Sequence, residues 1–397
     1  MSVAIEKEIT ADNIRVKIRK LVEEVIRPNA EIIDREKKFP RENLQALAKD
    51  GWNSLLLPKE LGGLNLDYTA LGIAVQEIAK ACPSTALIYT MNVEATLIIY
   101  KFGNEEQWHR WLKPVREGKI GTTATSEKAS GGQYWINLSR AEHAENGYTF
   151  NFEKSFATSS GQADFYIIQT GSPNAIRSDD LSYFIVDAKR SGIETGEWDA
   201  LGVRGNYSSS ITFNNFFVPE QDRIGEEGIG REVIGSGVGY LLGIGATWTG
   251  TAIGIYEEVV AYAKHTIHRN AHKNLADYQV IRHQLTNAKI VIESLKAWQK
   301  ELSYQLDEWQ RSGEKSPPSE LVFTLLEFKV HASEAANTVA QISMDVAGGY
   351  GYKKGTLERL YRDARAGIVM GPSNNLAKEI ISKHLVGLDA DLWALSN

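Results

Sequence analysis

The hydrophobic pattern divides the chain into three regions, and the first region is helical. Ile14 and Ile18 recur at the spacing that places apolar side chains on one face of an amphipathic helix. Further amphipathic stretches follow, separated by loops such as the one at Gly62-Gly63. Because the helical spacing continues through this region, it predicts an N-terminal α-helical domain over residues 1–120.

The second region changes to short strand-like segments. Residues 148–152, 165–169 and 183–186 are rich in aromatic and β-branched side chains, and glycine, asparagine and serine separate them. Several short strands at this spacing are typical of a small antiparallel sheet or barrel. The pattern therefore predicts a middle β-domain over residues 121–226.

Helical spacing returns in the third region. A glycine-rich apolar run over residues 235–254 permits close helix packing, and long amphipathic helices are predicted over about 277–308 and 319–346. The pattern therefore predicts a C-terminal α-helical bundle domain over residues 227–397. The order of helices, strands and helices places the protein in the α+β class.

Composition narrows the functional classes without naming one. The net charge of −6 gives no support for binding to nucleic acid or to an anionic membrane. No apolar run reaches the ~18 residues that a membrane span needs, and residues 1–8 lack the apolar core of a secretory signal. The single cysteine excludes a multi-cysteine metal site, so no metal and a cytoplasmic location are expected.

Motifs spread along the chain resemble those of one flavoprotein family. They include Pro58-Lys59-Glu60-Leu61-Gly62-Gly63, Cys82-Pro83-Ser84, Gly202-Val203-Arg204-Gly205, Gly348-Gly349-Tyr350-Gly351 and Glu358-Arg359-Leu360-Tyr361-Arg362-Asp363-Ala364-Arg365. In this order they resemble the acyl-CoA dehydrogenase superfamily. The resemblance implies an N-terminal helical domain, a middle antiparallel β-domain and a C-terminal four-helix bundle, with a flavin bound in a homotetramer.

The resemblance also assigns residues to the flavin ring. A family loop that meets the pyrimidine side of the flavin matches Thr125, with Ser126 in place of the usual glutamate. A second family element, an aromatic residue followed by a hydroxyl near the flavin N5, matches Phe156 and Thr158. We therefore expect these four residues to contact the cofactor.

The phosphate side of the cofactor is expected to involve a second subunit. Arg269 occupies the place of a family arginine that reaches across a subunit interface, and Gly348-Gly349 matches a glycine turn used in the same way. Ser373 matches a residue that caps the last helix beside the cofactor, where a helix N-terminus attracts anions. The resemblance implies FAD, with FMN as the alternative.

The catalytic base of the family is missing from both of its known positions. The family places a glutamate nine residues after the first arginine of its Arg-Asp-Ala-Arg motif, and that position here is Gly371. The alternative position aligns near Ile244, and no acidic residue lies between Glu232 and Glu257. His384 follows downstream and is expected to be a polar cap, so the base is unidentified.

Two functions fit these observations, and a third is a non-redox relative that uses flavin structurally. The first is α,β-dehydrogenation of an acyl thioester, carried by coenzyme A or an acyl-carrier protein, with an electron-transfer flavoprotein as partner. The second is a two-component monooxygenase that uses O2 and reduced flavin from a flavin reductase, which needs no base. Under either function, the substrate pocket is expected to include Tyr89, Asn92, Met370 and Gly371.

Overall fold

The computed structural model describes residues 10–393, which form twelve α-helices and ten β-strands. The helices are α1 (Ala11–Leu21), α2 (Arg27–Arg35), α3 (Arg41–Lys49), α4 (Tyr68–Ala81), α5 (Pro83–Phe102), α6 (Glu105–Gln107), α7 (Gly230–Gly235), α8 (Val238–His265), α9 (Gln279–Ser312), α10 (Ser319–Gly351), α11 (Thr356–Val369) and α12 (Asn374–Leu385). The expectation about a secretory signal rests on residues 1–8, which lie outside the described part of the chain.

The strands follow the helices of the first region and precede α7. They are β1 (Gly121–Ala124), β2 (Glu142–Ala144), β3 (Gly147–Ala157), β4 (Phe165–Gly171), β5 (Leu181–Asp187), β6 (Ile193–Thr195), β7 (Ser209–Pro219) and β8 (Arg223–Ile224); the small pair β9 (Ile267–His268) and β10 (Lys273–Asn274) lies after α8. The order of helices, strands and helices confirms the predicted fold class.

Two four-stranded sheets form the middle region. Their strand orders are β1-β4-β5-β8 and β2-β3-β7-β6, and apolar residues from both sheets form the core between them. The expected antiparallel pairing holds with one correction, because β1 pairs with β4 in parallel. Between these two strands the chain crosses to the second sheet through β2 and β3, and it then enters β4 from the same end as β1.

Helix α8 is the central element of the helical core. It packs against α4, α5, α9, α10 and α11, so the first and last regions share one hydrophobic core. A side chain at Gly250 or Gly254 would place its Cβ only 2.2 Å or 2.3 Å from carbonyl oxygens of α4. The glycine-rich run therefore allows close helix approach, as its sequence predicts.

No apolar run of the length of a membrane span is expected from the sequence, and the central helix corrects this expectation. Within residues 10–393, the segment 230–265 contains an apolar window with mean hydropathy 1.3, and 94% of that window is buried inside the protein. Burial of this kind is typical of a core helix. The apolar side chains of this segment therefore pack inside the helical core.

Candidate active site

A cavity of about 870 Å³ lies where the three regions meet. Its wall includes one face of α5, the loop after β1, the end of β3, the loop before β7, the start of α8 and the loop between α11 and α12. Seven of the site residues predicted from the sequence line this cavity: Thr125, Ser126, Phe156, Thr158, Met370, Gly371 and Ser373.

A buried ion pair holds the loop after β1 in place. Lys154 on β3 is fully buried and its Nζ lies 2.6 Å from Oε1 of Glu127. Burial lowers the pKa of Lys154 to about 8, although the Glu127 carboxylate opposes this change. Burial by itself would raise the pKa of Glu127, but the Lys154 ammonium outweighs it and lowers that pKa. The pair is therefore ionised near neutral pH.

The same loop is joined to β3 next to the predicted flavin residues. The amide of Ser155 donates a hydrogen bond of 2.9 Å to the carbonyl of Ser126. Leu138 N donates a further hydrogen bond of 2.8 Å to Glu127. These bonds fix the backbone around Thr125, whose side chain lies in the cavity wall. The sequence did not identify Lys154 or Glu127 as support for the site, because the two residues are 27 positions apart.

Phe156 is presented to the cavity in an unusual backbone conformation. Its φ is +53° and its side chain is 74% exposed, although it belongs to a strand. A left-handed backbone is costly for an aromatic residue, and an exposed aromatic ring forgoes burial. Thr158, two residues later, lies 3.1 Å from the hydroxyl of Ser208 through its Oγ1.

The residues of this wall fit a flavin. Phe156 offers an uncovered aromatic face, and the hydroxyl-bearing residues Thr125, Ser126 and Thr158 lie in the same wall. A flat aromatic cofactor with polar edges would cover the ring and meet these hydroxyl groups. The pairing of Thr158 with Ser208 adds a hydroxyl pair to the same wall.

The loop between α11 and α12 is held by a buried lysine. Lys329 Nζ on α10 donates to the carbonyls of Gly367, Met370 and Pro372, at 3.1, 3.1 and 2.7 Å, and to Asn374 Oδ1 at 2.9 Å. Ser373 immediately precedes α12 as its N-cap, and its Oγ accepts a hydrogen bond from the Leu376 amide. Ser373 therefore caps the last helix and lines the cavity, while its contact with the cofactor stays a prediction.

The vacant base position opens towards the cavity. A Cβ added at Gly371 would meet only Cδ1 of Tyr134, at 3.8 Å, which is an ordinary contact distance. The Gly371 carbonyl accepts a hydrogen bond of 2.5 Å from the hydroxyl of Tyr240. The alternative position, Ile244, is fully buried and does not line the cavity, so α8 contributes no base at that point either.

Two residues predicted for the substrate pocket do not line the cavity. The hydroxyl of Tyr89 donates 2.8 Å to the carbonyl of Trp52, and Asn92 bridges the Asn53 carbonyl and the Gly121 amide. Both are fixed in the core, which corrects the prediction. The spacing of residues on α5 turns Met91 to the cavity instead, because its neighbours in sequence point to other faces of the helix.

Two of the three predicted phosphate-side elements, Arg269 and Gly348-Gly349, do not line the cavity, whereas Ser373 does. Arg269 lies in the turn between β9 and β10, and Gly348-Gly349 lies at a kink near the end of α10. Arg269, Gly348 and Gly349 are exposed. His384 stacks on Phe323, and Glu257, the first acidic residue after Ile244, pairs with Lys80, so neither residue reaches the cavity.

Glu94 is a cavity residue that the sequence did not single out. It lies on α5, three residues after Met91, and its side chain reaches the wall while only 9% of the residue is exposed. Burial raises the pKa of Glu94 to about 7, opposed by the charge of Lys101 and by the backbone amide of Tyr240. The sequence could have indicated Glu94, because it is an acidic residue within the apolar sequence of α5.

Three family models match the chain in order. The N-terminal domain of acyl-CoA dehydrogenase matches residues 10–119, the middle domain matches 122–216 and the C-terminal domain matches 242–386. The chain therefore belongs to the acyl-CoA dehydrogenase family, as the C-terminal signature implied. It is an FAD-dependent oxidoreductase.

Individual relatives agree with the family models over nearly the whole chain. The mitochondrial short-chain specific acyl-CoA dehydrogenase of Homo sapiens is 28% identical over 373 residues, covering 93% of this chain and 88% of the relative. A chain in a solved structure of the electron-transferring flavoprotein of Acidaminococcus fermentans is 23% identical, with TM-score 0.88 and coverage of 97% and 100%. A prolyl acyl carrier protein oxidase is 22% identical, with TM-score 0.82 and coverage of 94% and 98%. The last two establish a shared fold.

Proposed function

We propose that the protein oxidises an acyl thioester, carried by coenzyme A or an acyl-carrier protein, to its α,β-unsaturated form. The observation that carries the proposal is one cavity that joins the flavin-facing residues Thr125, Phe156 and Thr158 to the Met370–Gly371 loop. When bound, FAD accepts the hydride that leaves the β-carbon of such a substrate. The wall of the cavity is mostly apolar, which suits an acyl chain.

The residues of the chain have separate parts in this reaction. Phe156 would pack on the flavin ring, and the hydroxyl of Thr158 and the loop at Thr125 and Ser126 would meet its polar edge. The ion pair between Lys154 and Glu127 joins the loop after β1 to strand β3. Lys329 holds the opposite loop, which carries Gly371, at a fixed place in the wall. This arrangement orients cofactor and substrate before reaction.

A second candidate is a two-component flavin monooxygenase. The observation that favours it is that neither family position for the base carries a carboxylate, since Gly371 has no side chain and Ile244 is buried in the core. Oxygenation does not need removal of an α-proton. Its reduced flavin would come from a flavin reductase, whereas the dehydrogenase would pass electrons to an electron-transfer flavoprotein. The cytoplasmic location and the homotetramer belong to the proposal under either function.

An anaerobic titration separates the two candidates. Purified protein with FAD bound is mixed with a panel of acyl-CoA thioesters, and the visible absorbance of the flavin is followed. Loss of absorbance with a thioester supports dehydrogenation and contradicts the monooxygenase. Unchanged absorbance with every thioester, combined with substrate-dependent incorporation of ¹⁸O from O2 after the flavin is reduced, would establish the monooxygenase instead.

Gly371→Glu tests whether the vacated position still faces the substrate. The side chain has room, because a Cβ there meets only Tyr134 at an ordinary distance. We expect faster thioester-dependent loss of flavin absorbance than in Gly371→Gln, because only the glutamate supplies a carboxylate at the position that the family uses for its general base. Gly371→Gln is the matched control, equal in size but unable to accept the proton as a carboxylate. Equal rates in the two variants would contradict the prediction.

A further inference from the structure

Glu94 occupies a face of α5 that belongs to the cavity. Met91, Glu94 and Ile98 lie at helical spacing and all three line the wall, so the carboxyl group replaces an apolar side chain in an apolar row. Burying a carboxyl group among apolar side chains is unfavourable unless the group has a hydrogen-bond or ion-pair partner. Only 9% of the surface of Glu94 is exposed.

The carboxyl group packs against the beginning of α8. A Cβ at Gly237 would lie 3.5 Å from its Oε1, and a Cβ at Gly239 would lie 3.8 Å from its Oε2. The start of this 28-residue helix carries a partial positive charge and the Tyr240 amide faces the carboxyl, so the ionised form has local support. Glycine at both positions leaves room for the carboxyl group.

Glu94 differs from the other carboxylate in the cavity wall. Glu127 is bound to Lys154 and to the amides of Leu138 and Ser139, so its lone pairs are occupied. Within residues 10–393, no ion pair and no hydrogen bond from another side chain engages the Glu94 carboxyl, so the Tyr240 backbone amide is its one hydrogen-bond partner there, and Lys101 acts on it only through its charge. Of the two acids in the wall, Glu94 alone is available to a substrate.

We propose that Glu94 is the proton acceptor of the dehydrogenation, in place of the two vacant family positions. This inference rests on the proposed function. The C–H bond at the α-carbon breaks and its proton passes to a carboxylate oxygen of Glu94. The β-carbon loses a hydride to FAD, and a carbon–carbon double bond forms. The thioester is oxidised by two electrons and FAD is reduced by two.

The groups around Glu94 predict a simple pH dependence. Lys101 on the same helix, Tyr68 on α4, Tyr134, Tyr183 on β5 and Tyr240 on α8 all interact with its charge. Burial raises the pKa of each of these tyrosines well above neutrality, so they stay protonated. Because the carboxylate is the base, the rate should rise with pH through about 7, the pKa to which burial raises Glu94.

Glu94→Gln is the decisive variant, since it keeps the shape and removes the base. Three quantities are measured on the FAD-loaded protein with butanoyl-CoA: thioester affinity by calorimetry, anaerobic loss of flavin absorbance, and exchange of α-hydrogen for deuterium in ²H₂O. We expect affinity within roughly threefold of wild type, and both rates lower by a hundredfold or more. Glu232→Gln, which changes an exposed carboxylate outside the cavity, is the control and should match wild type.

Each result decides between defined alternatives. Restoration of both rates in the Glu94→Gln, Gly371→Glu double variant would support the inference, because a carboxylate returns from another wall. Unchanged rates in Glu94→Gln, or a change in thioester affinity without a change in either rate, would overturn it and leave the proposed function standing. If wild-type protein neither binds nor is reduced by any thioester of the panel, the proposed function itself fails.

Discussion

At the scale of single residues, the candidate active site is defined by Gly371, where the family has a glutamate, and by Glu94, which places a carboxyl group elsewhere in the cavity wall. Gly371 can be found by counting along the signature, and the structure adds that it faces the cavity. Glu94 cannot be found in this way. Its importance depends on which face of α5 meets the cavity, and a helix that is buried on nearly every side gives no amphipathic pattern to identify that face.

Phe156 provides the residue-scale prediction. Its positive φ favours glycine, and its ring is exposed. Neither the backbone conformation nor burial of the ring therefore explains a phenylalanine at this position. We expect Phe156→Gly to leave the thermal stability of the cofactor-free protein unchanged or higher, while FAD affinity falls by roughly tenfold through loss of ring contact. Differential scanning calorimetry and fluorescence titration with FAD measure the two effects.

The matching control is Phe217→Ala, which removes a partly exposed aromatic side chain of β7 outside the cavity wall. It should leave FAD affinity unchanged. Equal FAD affinity in Phe156→Gly and wild type would show that the ring has no part in holding the cofactor.

At the scale of elements, the loop between α11 and α12 depends on a neighbouring helix. Lys329 is fully buried in α10 and donates to four oxygens of the segment 367–374. Burial lowers the pKa of Lys329 to about 7. A neutral amine has only two hydrogens, so four oxygen acceptors favour the ammonium form. The loop therefore takes its position from α10 through one side chain.

Lys329→Met tests this dependence. The change removes the Lys329 donor from three buried carbonyls, while Asn374 Oδ1 keeps its hydrogen bond from the Ser333 hydroxyl. We expect a loss of about 2–4 kcal/mol in the free energy of unfolding. FAD retention should fall as well, because Ser373 and Gly371 move with the loop. Denaturant unfolding and gel filtration followed by flavin quantification measure the two effects. Lys296→Met, at an exposed ion pair, is the control; equal unfolding curves would be inconsistent with the role of Lys329.

At the scale of the whole molecule, part of the predicted site lies outside the cavity. Arg269 and Gly348-Gly349 are exposed and do not line the cavity of their own subunit. Their predicted contact with the phosphates of FAD therefore requires a second copy of the chain. We propose that the protein associates into a homotetramer, as the family resemblance implies.

The homotetramer can be tested by measuring the mass of the particle and its affinity for FAD. Light scattering after gel filtration should give four chains per particle, and Arg269→Ala should weaken FAD binding by roughly tenfold at unchanged mass, since a bidentate phosphate contact is lost. Lys264→Ala, at another exposed cation, is the control. A monomer that binds FAD with full affinity, or an Arg269 variant that does so, would contradict the prediction.

The sequence by itself determined the family, the α+β architecture and a set of predicted flavin-facing residues that line the cavity. Motif order and hydrophobic period are local properties, so Thr125, Phe156, Thr158 and the Ser373 cap could be identified by position along the chain. The absence of an acid at Gly371 is also a local fact.

Only the tertiary structure decided which distant residues meet in the cavity. It placed Tyr89 and Asn92 in the core, turned Glu94 to the wall, and brought Lys154 under the loop at Glu127. Each of these outcomes depends on how helices are rotated and how sheets pack against them. A one-residue rotation on a helix moves a side chain by about 100°, and the packing of the whole molecule selects the rotation.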